Sequence, residues 1–196
     1  MLLKSKILVI APHPDDEVLG PGGTLLRRKA EGATIAWLIV TTITADTGWS
    51  DDKIKQRASE VKRVTTLFGF DSVFELNFPT TQLDKVPMSD LVAAIANVFK
   101  NFEPEEVFVP HPADVHTDRR LVYDAAASCT KWFRHPSVKR VLAYEMLSET
   151  DFGLGARQGF RPNVFVNITK YVDEKIETMK IKMRFSKSLA RLSKLR

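Results

Sequence analysis

A single cysteine, Cys129, in 196 residues rules out a disulfide within the chain and a zinc centre built from cysteines. Any metal must be held by histidine and carboxylate. No apolar run approaches the ~20 residues that a membrane span requires, and the stretch from Ile7 to Ala11 is too short for the hydrophobic part of a secretory leader. The expectation is a cytoplasmic protein without stable membrane insertion. Disorder is excluded as well, because 44% hydrophobic and 27% charged residues are ordinary globular composition. A chain of this length fits one domain with one core, so 1–196 is expected to be a single domain.

The last part of the chain is basic without any acidic counterweight. Residues 178–196 hold seven basic side chains and no acidic one; taking those seven from the 29 basic residues leaves 22 against 24 acidic. The net charge of +5 therefore belongs to a basic C-terminal segment, which reads as a solvated face rather than a nucleic-acid site, and no nucleic-acid partner is expected. Assembly into a homo-oligomer stays open. Leu19-Gly-Pro-Gly-Gly matches neither phosphate-loop pattern, and its glycines are expected to pack a helix closely on a sheet.

The strand and helix signals alternate. Short apolar runs at 6–11, 33–42, 72–76, 106–110 and 140–144 read as strands. Helical patterns cover 18–31 with Gly32 as the stop, then 52–67, 89–102, 118–129 and 169–183. One helix between successive strands implies right-handed βαβ units, and hence an α/β fold: a Rossmann-like three-layer sandwich around a mostly parallel sheet. Ligands of such sheets bind beyond the carboxyl ends of the strands.

Two segments at those ends carry most of the candidate chemistry. After the first strand comes Pro12-His13-Pro14-Asp15-Asp16-Glu17, and after the fourth His111-Pro-Ala-Asp114-Val-His116-Thr-Asp118-Arg119. Three of the four histidines lie here, while His135 reads as a surface residue. A catalytic zinc needs about three nitrogen or oxygen ligands and an open position, and a loop stiffened by two prolines supplies a histidine with nearby carboxylates. Asp16 then suits ligation, and Asp15 suits a general base toward an activated water. Capping of the next helix accounts for one of the acids but not for the rest. Trp49 suits either stacking on a sugar ring or packing. Cys129 and the phenylalanines at 68, 70, 74 and 78 read as core.

His13-Pro14-Asp15-Asp16-Glu17 together with Asp114-Val-His116-Thr-Asp118 resembles the signature of the PIG-L/LmbE-like proteins, metal-dependent deacetylases of N-acetylglucosamine-containing compounds. Gly22-Gly23, Arg57, Glu60, Tyr144-Glu145 and Val172 to Ile176 also stand where that family has similar residues. The resemblance implies zinc or another divalent metal, ligated by His13 and Asp16, with Asp15 as general base and Arg57 on the substrate. It implies that Asp118 orients a histidine and that His116 stabilises the charge of the transition state. The implied partner is a small amino-sugar substrate.

One position departs from the pattern: Arg119 stands where the family has its third metal-ligating histidine. Arginine has no lone pair for a metal. His116 is taken as the substitute ligand, with His111 and a weakened or lost metal as the other readings. The chain also ends earlier than the family pattern, by nature or by truncation. A catalytically impaired, sugar-binding relative and a Rossmann-like enzyme of phosphorylated substrates are the alternatives to the hydrolase.

Overall fold

The computed structural model describes residues 5–146 and 159–183. Strands β1 (Lys6–Ala11), β2 (Thr34–Thr42), β3 (Ser72–Pro79), β4 (Glu106–Pro110) and β5 (Arg140–Tyr144) form one sheet in the order β3-β2-β1-β4-β5, with every neighbouring pair parallel. Helices α1 (Asp16–Leu19), α2 (Gly22–Ala30), α3 (Asp51–Phe68), α4 (Met88–Phe102), α5 (Thr117–Cys129) and α6 (Val172–Met183) surround it. This is the expected α/β architecture. The basic stretch 184–196 lies outside the described residues.

The pleat of β1 explains the three layers. Leu8 and Ile10 point to one face, where they meet Leu91, Ile95 and Phe99 of α4 and Val122 of α5. Ile7, Val9 and Ala11 point to the other, where they meet Val18, Leu25, Val64 and Phe68. A strand covered on both faces has to be apolar at every position, which is why β1 shows no alternation. Each such buried aliphatic side chain contributes roughly 1.5–3 kcal/mol. Cys129 belongs to the first of these clusters, and burial pushes its thiol up to about 11, so it packs and does not react.

The helix expected over 18–31 is instead two helices that start earlier, at Asp16, and break at Gly20-Pro21. Proline has no N–H to continue the first helix and is tolerated where a second one begins. Gly20 is needed at the break for a steric reason. A Cβ there would lie 2.4 Å from Cδ2 of Tyr144, a buried ring whose hydroxyl donates to the Ile10 carbonyl at 2.8 Å. Gly23 is similarly blocked by Ile168. Gly20 thus packs against the sheet, as expected from the sequence, whereas Gly23 packs against the segment before α6. Gly20→Ala is predicted to cost about 1–3 kcal/mol by overpacking, read as a lower thermal midpoint; an unchanged midpoint would show that Tyr144 can move aside.

The strand order also places the chemistry. From β1 the chain runs outward through β2 and β3, then returns to β4 on the opposite side of β1. The connections after β1 and β4 therefore diverge and leave a crevice at their carboxyl ends. Both segments singled out in the sequence open into that crevice.

Candidate active site

The loop after β1 is tightly fixed. The Pro12 carbonyl accepts from both the amide (3.0 Å) and the hydroxyl (2.8 Å) of Thr41, and the Asp16 carboxylate accepts from the His13 amide at 3.0 Å. Asp15 sits at the start of α1 but its side chain caps nothing. Its Oδ1 is buried without a hydrogen-bond partner, and Oδ2 lies 4.0 Å from Nη1 of Arg57. Helix capping thus fails to explain Asp15. Arg57, on α3, donates to the Pro14 carbonyl at 3.0 Å and so braces the loop as well as facing the cleft.

The segment after β4 supplies the opposing wall. His116 is the N-cap of α5, its Nδ1 accepting the Asp118 amide at 3.2 Å. Its ring stands edge-on to that of His13, with centroids 4.5 Å apart. Asp118 is fully buried and shares its Oδ2 between His13 Nε2 (3.0 Å) and the Thr81 amide (2.7 Å). That second bond holds Thr81 at φ 60, a left-handed conformation that β-branched residues rarely adopt. The strained turn brings Thr80 and Thr81 into the cleft wall. Sequence reasoning missed this turn, because no glycine or asparagine marks it.

Arg119 points inward. It is only 4% exposed, donates to Asp16 Oδ1 from Nε (3.1 Å) and Nη2 (2.8 Å), and reaches Asp114 Oδ1 from Nη1 at 3.4 Å. Burial opposes ionisation of Asp16, but the Arg119 guanidinium and then His13 outweigh it and hold the carboxyl well below the usual range. For His13, burial disfavours the charge, yet the carboxylates of Asp118 and Asp16 push it up to about 9. Burial likewise opposes ionisation of Asp118, and the His13 and Thr81 hydrogen bonds lower it.

The cleft between these walls has a volume of about 200 Å³ and is lined by His13, Asp15, Trp49, Arg57, His116 and Arg119, among others. Trp49 is 39% exposed at its edge. Among the described residues, the set whose ligand atoms come together for a metal is His13, His116 and Asp118, all within 4.8 Å of one another. Two nitrogens and one carboxylate suit a divalent ion of the zinc type. His111 lies elsewhere, its Nδ1 accepting the Ala113 amide and its ring against Phe160. His135 is half-buried beside Phe99. No helix among the described residues is long and apolar enough to cross a membrane.

The profile of the PIG-L family, GlcNAc-PI de-N-acetylase, matches residues 8–130, which include both walls of the cleft. The uncharacterized deacetylase YaiS of Escherichia coli is 29% identical over 180 residues, covering 89% of this chain and 88% of its own. Diacetylchitobiose deacetylase of Thermococcus kodakarensis is 24% identical over 185 residues, covering 89% and 68%. Among solved structures, a conserved Thermus thermophilus protein superposes with a TM-score of 0.72 at 28% identity, over 89% of this chain and 77% of the other.

Proposed function

Because the chain belongs to the GlcNAc-PI de-N-acetylase family, we propose that it hydrolyses the N-acetyl amide of an N-acetylglucosamine-type sugar or conjugate. The observation that carries this reading is the Asp15 carboxylate, one oxygen of which is buried without a partner in the cleft that also presents His13 and His116. A carboxylate with one oxygen free of hydrogen bonds and the other 4.0 Å from Arg57, in a cleft shared with two histidines, is placed to take a proton from a water. A deacetylase name attached to two relatives supports the same chemistry.

The reaction divides among these residues as follows. Water adds to the amide carbonyl carbon and its proton passes to Asp15, which then delivers it to the leaving amine nitrogen; acetate and the free amine are the products. His116 stands edge-on to His13 in the same cleft, where as a ligand it would act on the charge that develops on the carbonyl oxygen through the ion it helps to hold. A divalent metal, zinc or another, held by His13 and His116 with a carboxylate, would supply a Lewis acid for the carbonyl and the attacking water. Arg57 contacts a polar group of the substrate from α3 while keeping Pro14 and Asp15 in position. Cytoplasmic residence is part of this proposal, in keeping with a lone, buried cysteine.

Trp49 at the cleft edge offers a flat face to the apolar C–H surface of a sugar ring. Trp49→Ala is therefore expected to raise KM for an N-acetylated amino sugar by about 3–10-fold, the size of one aromatic contact, while kcat stays within about twofold. Steady-state kinetics on a short N-acetylglucosamine substrate check this. An unchanged KM would return Trp49 to a packing role.

A further inference from the structure

Resting on the hydrolase reading above, we infer that Asp118, not Asp16, is the carboxylate that joins His13 and His116 around the divalent metal, and that Arg119 is the fixed counter-ion that keeps Asp16 out of ligation. Both oxygens of Asp16 are engaged by the protein. Oδ1 accepts two N–H groups of Arg119, at 3.1 and 2.8 Å, and Oδ2 accepts the His13 amide at 3.0 Å. A metal approaching Asp16 would have to displace a guanidinium that is 4% exposed and carries a charge of the same sign. Moving Arg119 away would also strip the buried Asp114 carboxylate of its 3.4 Å contact with the guanidinium.

Asp118 is as buried as Asp16 and also accepts backbone amides, from Leu83 at Oδ1 (3.4 Å) and Thr81 at Oδ2 (2.7 Å), but its ionic partner is His13, itself a ligand of the proposed set, and not a guanidinium. Its Oδ2 already stands 3.0 Å from His13 Nε2. Two ligands of one tetrahedral zinc lie roughly 3.3 Å apart, given zinc–ligand distances near 2.0–2.2 Å, so an ion takes the place of this hydrogen bond with a shift of a few tenths of an ångström. His116 closes the set from the start of α5, two residues before Asp118; ligation through its Nε2 puts the ring proton on Nδ1, so the 3.2 Å contact in which Nδ1 accepts the Asp118 amide is given up when the ion binds. Thr81, bonded to the same Oδ2, holds the carboxylate in place. The guanidinium thus supplies one positive charge permanently to the Asp16–Asp114 pair, and the metal neutralises the rest of the site.

Cobalt(II) titration of chelator-treated protein, followed by its visible absorption, tests the assignment. The full chain is expected to bind one cobalt, which zinc displaces. Asp118→Asn should weaken binding by about 100-fold or more. The double variant Asp16→Asn/Arg119→Gln removes the ion pair as a unit and should stay within about fivefold of the parent. The assignment is overturned if the double variant loses cobalt while Asp118→Asn keeps it, or if the parent binds none. Should Asp118→Asn fail to fold, nitrogen-15 spectra of the parent decide: added zinc must shift the imidazole nitrogens of His13 and His116 and leave the Arg119 Nε–H unshifted, and a large Arg119 shift contradicts the proposal. Acetate release measured on the same samples separates the two readings. A parent that releases acetate but binds no cobalt removes this ligand set and leaves the hydrolase standing; a parent that binds cobalt through Asp118 but releases no acetate does the reverse.

Discussion

Asp15→Asn lowers acetate release from an N-acetylated amino sugar by at least about 100-fold, and up to about 10,000-fold, the range expected for loss of a general base. The substitution keeps the shape of the side chain and removes only its basicity. Because Oδ1 has no hydrogen-bond partner and Oδ2 is 4.0 Å from Arg57, no strong interaction is broken. The thermal midpoint should therefore move by no more than a surface substitution would move it, about 0.5 kcal/mol in stability. A rate that falls while the midpoint holds assigns the loss to chemistry. An unaltered kcat would take Asp15 out of the reaction, and with it the observation on which the proposed function rests.

Arg119→Met has the opposite profile: its largest effect is on folding. Methionine fills much of the volume of the arginine stem but removes the guanidinium that the buried carboxylates of Asp16 and Asp114 share, leaving Asp16 with His13 as its cationic neighbour. Removing one partner of a buried ion pair costs about 3–5 kcal/mol, equivalent here to a drop in midpoint on the order of 10 °C. Adding Asp16→Asn to Arg119→Met should recover a large part of that loss, since neighbours in one network are not additive. Differential scanning calorimetry of the two variants checks both statements. A midpoint unchanged in Arg119→Met would mean that the guanidinium is not what compensates the acidic pocket.

Much of this architecture was legible before any coordinates. The short, largely apolar β1 and β4 runs read as buried strands, and the parallel sheet follows from the single helix between each pair. That in turn located the chemistry, because it made the residues just after each strand the ones facing the crevice. Local breaks were harder to read. The apolar spacing of 18–31 continued through Gly20-Pro21, so the helix looked unbroken although proline cannot continue it.

Inside the site, the residue types were visible but their partners were not. Arg119 was recognised as unable to ligate a metal, yet its pairing with Asp16 across 103 residues of sequence depends on the sheet order. His116 is the preferred substitute from its place in the motif with His111 as the alternative, and the fold separates them: His116 caps α5 beside His13, whereas the His111 ring packs against Phe160. The left-handed Thr81 had no signal at all, since its conformation is imposed by Asp118 and not by its own preference. In each of these cases the deciding interaction is long-range, and spacing along the chain does not encode it.

The most direct measurement is quantitation of acetate and free amine when the full chain, supplied with zinc or cobalt, is incubated with N-acetylglucosamine and with diacetylchitobiose, beside Asp15→Asn under the same conditions. Equal amounts of acetate and amine from at least one of these substrates, and neither product above background from Asp15→Asn, is the predicted result. No acetate from the parent, under conditions in which a diacetylchitobiose deacetylase releases it readily, would contradict the account.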